Sequence, residues 1–190
     1  MSNQKNLPTL ILTYFVHGTT TDNENGISTG WNPGELSELG KQQSQELKSL
    51  IAGKKFDAVF VSDLQRAIES ARFVFGNIFQ TDPRLRECNY GDLNGALETI
   101  VEQLYDKNIE TPFPNGESLK DVEKRVRNFC DELFKRHHHQ HIAIVAHKAP
   151  QLALEVITKN KTWIEAIRDD WRRKTPKAWQ PGWEYRILKL

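Results

Sequence analysis

The chain is poor in sulfur. Its 190 residues hold two cysteines, Cys88 and Cys130, and one methionine. The cysteines have no metal-type spacing, and a chain this long buries enough apolar surface to need no covalent staple, so both read as reduced thiols. Long hydrophobic runs are missing too. No apolar stretch approaches the ~20 residues of a membrane span, and the polar segment Met1 to Leu7 lacks a signal-peptide profile. Nor is there an excess of charge. Twenty-six Lys and Arg stand against 25 Asp and Glu, a net +1, so no global field draws the protein to nucleic acid or an anionic membrane, and any anion site must be local. These absences point to a cytoplasmic protein with no membrane or nucleic-acid partner.

Two biased segments invite other readings. Arg168, Arg172, Arg173, Lys174 and Lys177 are interleaved with Trp163, Trp171 and Trp179, the composition of a stacking platform for single strands. Asp169 and Asp170 dilute that charge, and the tryptophans are assigned to the core or to the rim of a site. The run His137-His138-His139-Gln140-His141 has neither the spacing of a closed metal site nor a nearby Cys pair. It is read as a helix-to-strand turn, and no metal or other cofactor is expected.

What is present suffices for one domain over residues 1–190: 38% hydrophobic residues, with nine Phe and five Trp. Thr9 to Val16 is a β-rich run too short for a helix and reads as a buried strand. A polar, Gly-rich loop follows. Ser37 predicts the cap of a helix to about Ile51, closed by Gly53. Phe56 to Val61 is a second strand, and Ser62 or Asp63 is expected to cap a helix with Leu64, Ala67, Ile68, Ala71 and Phe75 on one face. A third strand is expected at Pro83 to Arg86. Residues 88–117 read as an insertion with a helix near Leu97 to Tyr105. Val122, Val126, Phe129 and Leu133 form a helical stripe, Ile142 to Ala146 a fourth strand, and Leu152, Val156 and Ile157 a further helix. Another helix is expected over Thr162 to Trp171. Trp183, Tyr185 and Ile187 alternate with Glu184 and Arg186 as an edge strand, which leaves both monomer and homodimer open. Alternating helices and continuous apolar strands imply an α/β/α sandwich with a mainly parallel sheet covered on both faces.

In such sheets ligands bind outside the carboxyl ends of the strands. His17 follows the first strand, Ser62 and Arg66 the second, Glu87 the third and His147 the fourth. Two histidines, an arginine and an acid on one rim suggest phosphoryl transfer. Neutral imidazole is a competent nucleophile near neutral pH. A phosphoryl group carries about −1.5 to −2 charges and is met by Arg forks and N–H donors. A carboxylic acid supplies the proton that the leaving alkoxide needs.

Several ordered segments resemble the histidine phosphatase superfamily, which includes cofactor-dependent phosphoglycerate mutase. His17-Gly18-Thr19-Thr20-Thr21-Asp22-Asn23 is similar to its His-Gly-x-Thr-x-x-Asn signature, with Thr29-Gly30-Trp31 following. Leu36-Ser37-Glu38-Leu39-Gly40 with Gln43, Val61 to Ala67, Leu85 to Gly91, Pro114 to Leu119 and Ile144 to His147 resemble its later elements. The likeness spans roughly residues 9–158. It implies a phosphoglycerate mutase-like fold, His17 as the phosphorylated nucleophile, Arg66 and His147 as phosphoryl-binding groups and Glu87 as the proton donor. Asn23, Thr20 and Gly30 are implied on the substrate side.

Two positions depart from the family. Val16 stands where it has arginine, and Lys148 follows the second histidine where it has a small residue. Losing one charge-assisted contact costs about 1.5–3 kcal/mol, roughly ten- to a hundredfold. Lys148 is the expected substitute, as a point charge without a planar fork. The leading expectation is a phosphomonoesterase acting on a small phosphorylated metabolite. A phosphoglycerate mutase-type transferase and a weak or inactive phosphoryl-ligand binder are the alternatives.

Overall fold

A computed structural model describes residues 9–174 and 182–188. Met1 to Leu7, Lys177 and Trp179 lie outside the described residues. The chain runs through β1 (Leu10–Val16), α1 (Thr21–Glu24), β2 (Ile27–Ser28), α2 (Glu38–Leu50), β3 (Ala58–Val61), α3 (Gln65–Phe75) and β4 (Gln80–Thr81). It continues through β5 (Ala96–Leu97), α4 (Glu98–Leu104), α5 (Leu119–His137), β6 (His141–Ala146), α6 (Lys148–Lys159), α7 (Trp163–Arg168), α8 (Trp171–Lys174) and β7 (Trp183–Ile187).

Five strands form one sheet in the order β4-β3-β6-β1-β7. The pairs β4–β3, β3–β6 and β6–β1 are parallel, and β7 returns antiparallel along β1. The central strands are apolar on both faces because both are covered. Leu10, Leu12 and Tyr14 of β1 join one core with α5 and α6, while Phe15 joins a second core with Leu47 of α2 and Ala67, Ala71 and Val74 of α3. The architecture is therefore the expected α/β/α sandwich.

Local chemistry accounts for the boundaries. Ser37 caps α2 by accepting from Gly40 N–H at 3.2 Å. Ser118 and Asp121 form a reciprocal capping box at α5, and its Val122, Val126, Phe129 and Leu133 are all buried. On β7, Tyr185 and Ile187 are buried while Glu184 and Arg186 are exposed, as the alternation predicts.

Three expectations need correction. The cap of α3 is neither Ser62 nor Asp63 but Leu64, without a side-chain hydrogen bond. Ser62 is bonded to His147 instead, and Asp63 holds Arg86 in an ion pair at 2.6 Å. The strand placed at Pro83 to Arg86 is a 3-10 turn over Pro83–Leu85, and β4 lies just before it. Pro83 cannot donate to a ladder, and the Asp82 carboxylate caps Arg84 N–H at 2.8 Å. The single helix over Thr162 to Trp171 is two, α7 and α8, divided at Asp169 and Asp170.

Candidate active site

The β ladder sets the two histidines side by side. Val16 pairs with Ala146 in the parallel β1–β6 register, so His17 and His147 leave adjacent strand ends together. Their ring centroids lie 5.0 Å apart, about the spacing of paired strands. Ser62 leaves β3 one position after Val61, which pairs with Val145, and its Oγ lies 2.8 Å from His147 Nε2. Tyr14 Oη clasps the backbone of His147, donating to its carbonyl at 2.7 Å and accepting from its N–H at 3.0 Å.

His17 Nδ1 sits 2.7 Å from the Gly18 carbonyl oxygen. A carbonyl only accepts, so the proton is on Nδ1 and the Nε2 lone pair is left for chemistry. Burial, then the nearby Arg66 and Arg172, lower the pKa of His17 from 6.5 to about 3, against an upward pull from the Gly18 carbonyl. The imidazole is neutral at pH 7, as a nucleophile requires. His147 is fully buried, and burial, Arg66 and His17 hold its pKa well below the ordinary value. Among the described residues its Nδ1 has no hydrogen-bond partner, an unusual state for a buried polar atom.

The His17 loop is seated by close backbone packing. A Cβ on Gly18 would lie 2.4 Å from Gly40 O, and one on Gly40 would lie 2.0 Å from Thr19 O. The first turn of α2 therefore fits against this loop only because both residues are glycine. Gln43 of α2 accepts from Thr19 N–H at 2.9 Å, and Ser70 of α3 accepts from Gly18 N–H at 2.9 Å.

Arg66 is 2% exposed and donates from Nη2 to Gly30 O at 2.7 Å and from Nη1 to Asn32 O at 3.4 Å. Burial is the main cause of its lowered pKa. Gly30 adopts φ +57°, and a Cβ there would lie 1.8 Å from Asn94 Oδ1. It lines the cavity, and its carbonyl is what aims the guanidinium. Glu87 is nearly buried, and its carboxylate accepts from three backbone N–H groups: Cys88 at 2.8 Å, Lys148 at 3.1 Å and Ala149 at 3.0 Å. Two of those donors belong to the first turn of α6.

His17, Arg66 and Glu87 open on a cavity of about 570 Å³, while His147 lies buried beside His17 and does not line it. Val16, His17, Asn23, Gly30, Arg66, Glu87 and Lys148 line it, so most of the sequence-predicted set converges there. Thr20 does not. It is fully buried, and its hydroxyl caps α1 by accepting from Asn23 N–H at 3.0 Å. Asn23 answers by accepting from Thr20 N–H at 3.1 Å, which keeps its side chain on the exposed edge of the cavity. Lys148 is not the uncommitted cation that was expected. Its ammonium is paired with Glu102, lies 3.5 Å from Asp170 and sits 4.6 Å over the Tyr105 ring.

Two residues escaped the sequence reading. Arg125 of α5 clamps the loop carrying Glu87, donating to the carbonyls of Arg84, Arg86 and Glu87 at 2.7, 2.7 and 2.9 Å while paired with Glu117 at 2.9 Å. Its one signal was a charge beside the apolar stripe of α5. Arg172 of α8 also lines the cavity. Its stretch is tied to a site rim in the sequence only through the tryptophans, and nothing there singles out this arginine. Cys88 and Cys130 are buried free thiols. Burial raises the pKa of both, to about 12 for Cys130, so neither is a nucleophile. Among the described residues no helix is long and apolar enough to cross a membrane.

The family model of the histidine phosphatase superfamily (branch 1) matches residues 14–179. The chain belongs to this superfamily. It is 32% identical over 143 residues to the adenosylcobalamin/alpha-ribazole phosphatase of Escherichia coli, which covers 70% of each chain. It is 29% identical over 192 residues to the 2,3-bisphosphoglycerate-dependent phosphoglycerate mutase of Bartonella bacilliformis, covering 90% of this chain and 92% of the mutase. Among solved structures, the alpha-ribazole phosphatase of Shigella flexneri superposes with a TM-score of 0.73 at 26% identity, over 83% of this chain and 84% of that one. The chain is thus a phosphatase-type member of the superfamily, and its chemistry is phosphoryl hydrolysis or transfer.

Proposed function

We propose that this protein is a metal-independent phosphomonoesterase acting in the cytoplasm on a small phosphorylated metabolite, with His17 as the nucleophile. One observation carries the reading: a neutral His17, its Nδ1 proton tied to the Gly18 carbonyl, shares a cavity with the Arg66 guanidinium and the Glu87 carboxyl and stands beside His147. Nε2 attacks phosphorus, the P–O ester bond breaks, and the leaving oxygen takes the proton of the Glu87 carboxyl. The Glu87 carboxylate then takes a proton from water as that water attacks the phosphohistidine, the P–N bond breaks, and inorganic phosphate leaves. Arg66 and the Nδ1 of His147 face the developing charge on the phosphoryl oxygens.

Hydrolysis is favoured over mutase chemistry by the charge of the cavity. With Glu87 protonated as the acid, Glu24, Glu98 and Glu102 balance Arg66, Lys148 and Arg172 along its walls, which leaves no surplus of cations. A bisphosphorylated acid would bring more anion than these cations can match, whereas a monoester with an uncharged leaving portion fits. Residues 88–117 supply Tyr90, Glu98 and Glu102 to the wall and would set specificity.

Rapid quenching with a ³²P-labelled monoester tests this reading. Wild type should carry label on His17 and release inorganic phosphate, and His17→Ala should do neither. Label exchange between two positions of a phosphoglycerate, faster than phosphate release, would replace the hydrolase by a mutase. A wild type with neither label nor turnover would leave only a binder.

A further inference from the structure

A phosphomonoester brings nearly two negative charges to the cavity. Arg66 lines the cavity as one cation, and Val16, immediately before the nucleophile, supplies no charge. Lys148 is committed to Glu102 and Asp170. Arg172 is placed differently. Nη1 donates to Asp170 Oδ1 at 2.8 Å and Nη2 to Gln151 Oε1 at 2.7 Å, which leaves three of the five N–H groups of a guanidinium without an acceptor among the described residues.

Its seat is built rather than casual. Asp170 and Gln151 are 3% exposed each. The guanidinium stacks on the Trp171 ring at 4.6 Å, and that ring stacks on Trp183 of β7 at 5.4 Å. A solvated surface arginine has no reason to be gripped by a buried carboxylate, a buried amide and an indole at once, and each grip fixes the plane of the fork. The side chain is still 20% exposed, and it lines the same cavity as His17 and Glu87. Its charge reaches the strand ends, where it helps to lower the pKa of His17 and opposes the rise that burial imposes on Tyr14.

We propose that Arg172 is a substrate-binding residue of this site, donating its remaining N–H groups to a non-bridging phosphoryl oxygen in place of the cation that Val16 does not supply. The assignment rests on the phosphomonoesterase reading above. It gives the C-terminal segment a role in the reaction, since Arg172 reaches the sheet rim only because α8 is stacked against β7.

Inorganic phosphate binding to the full chain is the test, measured by calorimetry for wild type, Arg172→Gln, Arg172→Lys and the exposed Arg168→Gln. Arg172→Gln should bind phosphate about ten- to a hundredfold more weakly. Arg172→Lys should recover part of the loss, and Arg168→Gln should match wild type. Methylguanidinium should restore turnover to Arg172→Ala in a saturable way. Phosphate affinity in Arg172→Gln within twofold of wild type would overturn the assignment, and so would an Arg172→Ala enzyme indifferent to methylguanidinium, which marks a structural loss. Either result, with His17 labelling intact, leaves the phosphatase reading standing. A wild type that neither binds phosphate nor becomes labelled overturns both.

Discussion

His17 and His147 follow the ends of two paired strands, and Glu87 is held beside His147 by three backbone N–H groups. Elsewhere on the cavity wall, Glu24, Glu98 and Glu102 stand on α1 and α4, which are four and seven residues long. The rim inherits its geometry from hydrogen-bonded ladders, in which a shift of one residue would turn every side chain to the other face. The acidic wall hangs on a two-residue pairing of β2 with β5, and Glu24 and Glu98 remain exposed. Parts held by a ladder suit a reaction whose atoms must meet within fractions of an ångström. Parts held by short elements can vary without disturbing that geometry, which suits the choice of leaving group.

Breaking the rim should have the largest effect. Glu87→Gln should lower turnover about 10²- to 10⁴-fold on alkyl phosphates, and much less on a nitrophenyl phosphate, whose leaving group needs no proton. A leaving-group dependence identical to wild type would remove Glu87 from the proton-donor role. Ser62→Ala frees the His147 ring without touching charge, and should cost roughly tenfold in kcat/KM, in line with the loss of one hydrogen bond at a buried group.

Acid sharpens the comparison in another way. The folded-state pKa of His17 lies below that of the unfolded chain, so the unfolded state takes up the proton first. Stability contributed by the neutral ring is complete above pH ~6.5 and is lost as pH falls from there toward 3. At pH 5 the loss reaches up to about 2 kcal/mol. His17→Gln should therefore lose less of its melting temperature between pH 7 and pH 5 than wild type, and equal losses would contradict the buried neutral ring. The smallest effect belongs to the acidic wall. Glu102→Gln should lower KM a few-fold for a monoester with an extra carboxylate, with little change for a neutral one, because partly exposed charges are screened. An unchanged ratio of the two would mean that this wall does not read charge.

Much of the rim was legible before any coordinates. Continuous apolar runs announced β1 and β6, and each ended on a histidine. The α/β alternation then required those ends to share one edge of the sheet. Pro83 to Arg86 misled because a residue that cannot join a ladder was counted into one. Thr20 misled because capping and ligand binding use the same hydroxyl, and no pattern in the chain separates them.

Sequence alone determined the layer architecture, the strand ends and the identity of the residues that meet there, because periodicity and order along the chain are local properties. The tertiary structure alone decided which cations remain available in the cavity. Lys148 is paired with Glu102, 46 positions earlier, while Arg172, though paired with Asp170 and bonded to Gln151, keeps N–H groups without an acceptor among the described residues. A charge is cancelled by whatever lies a few ångströms away in space, and that distance is written nowhere in the order of the residues.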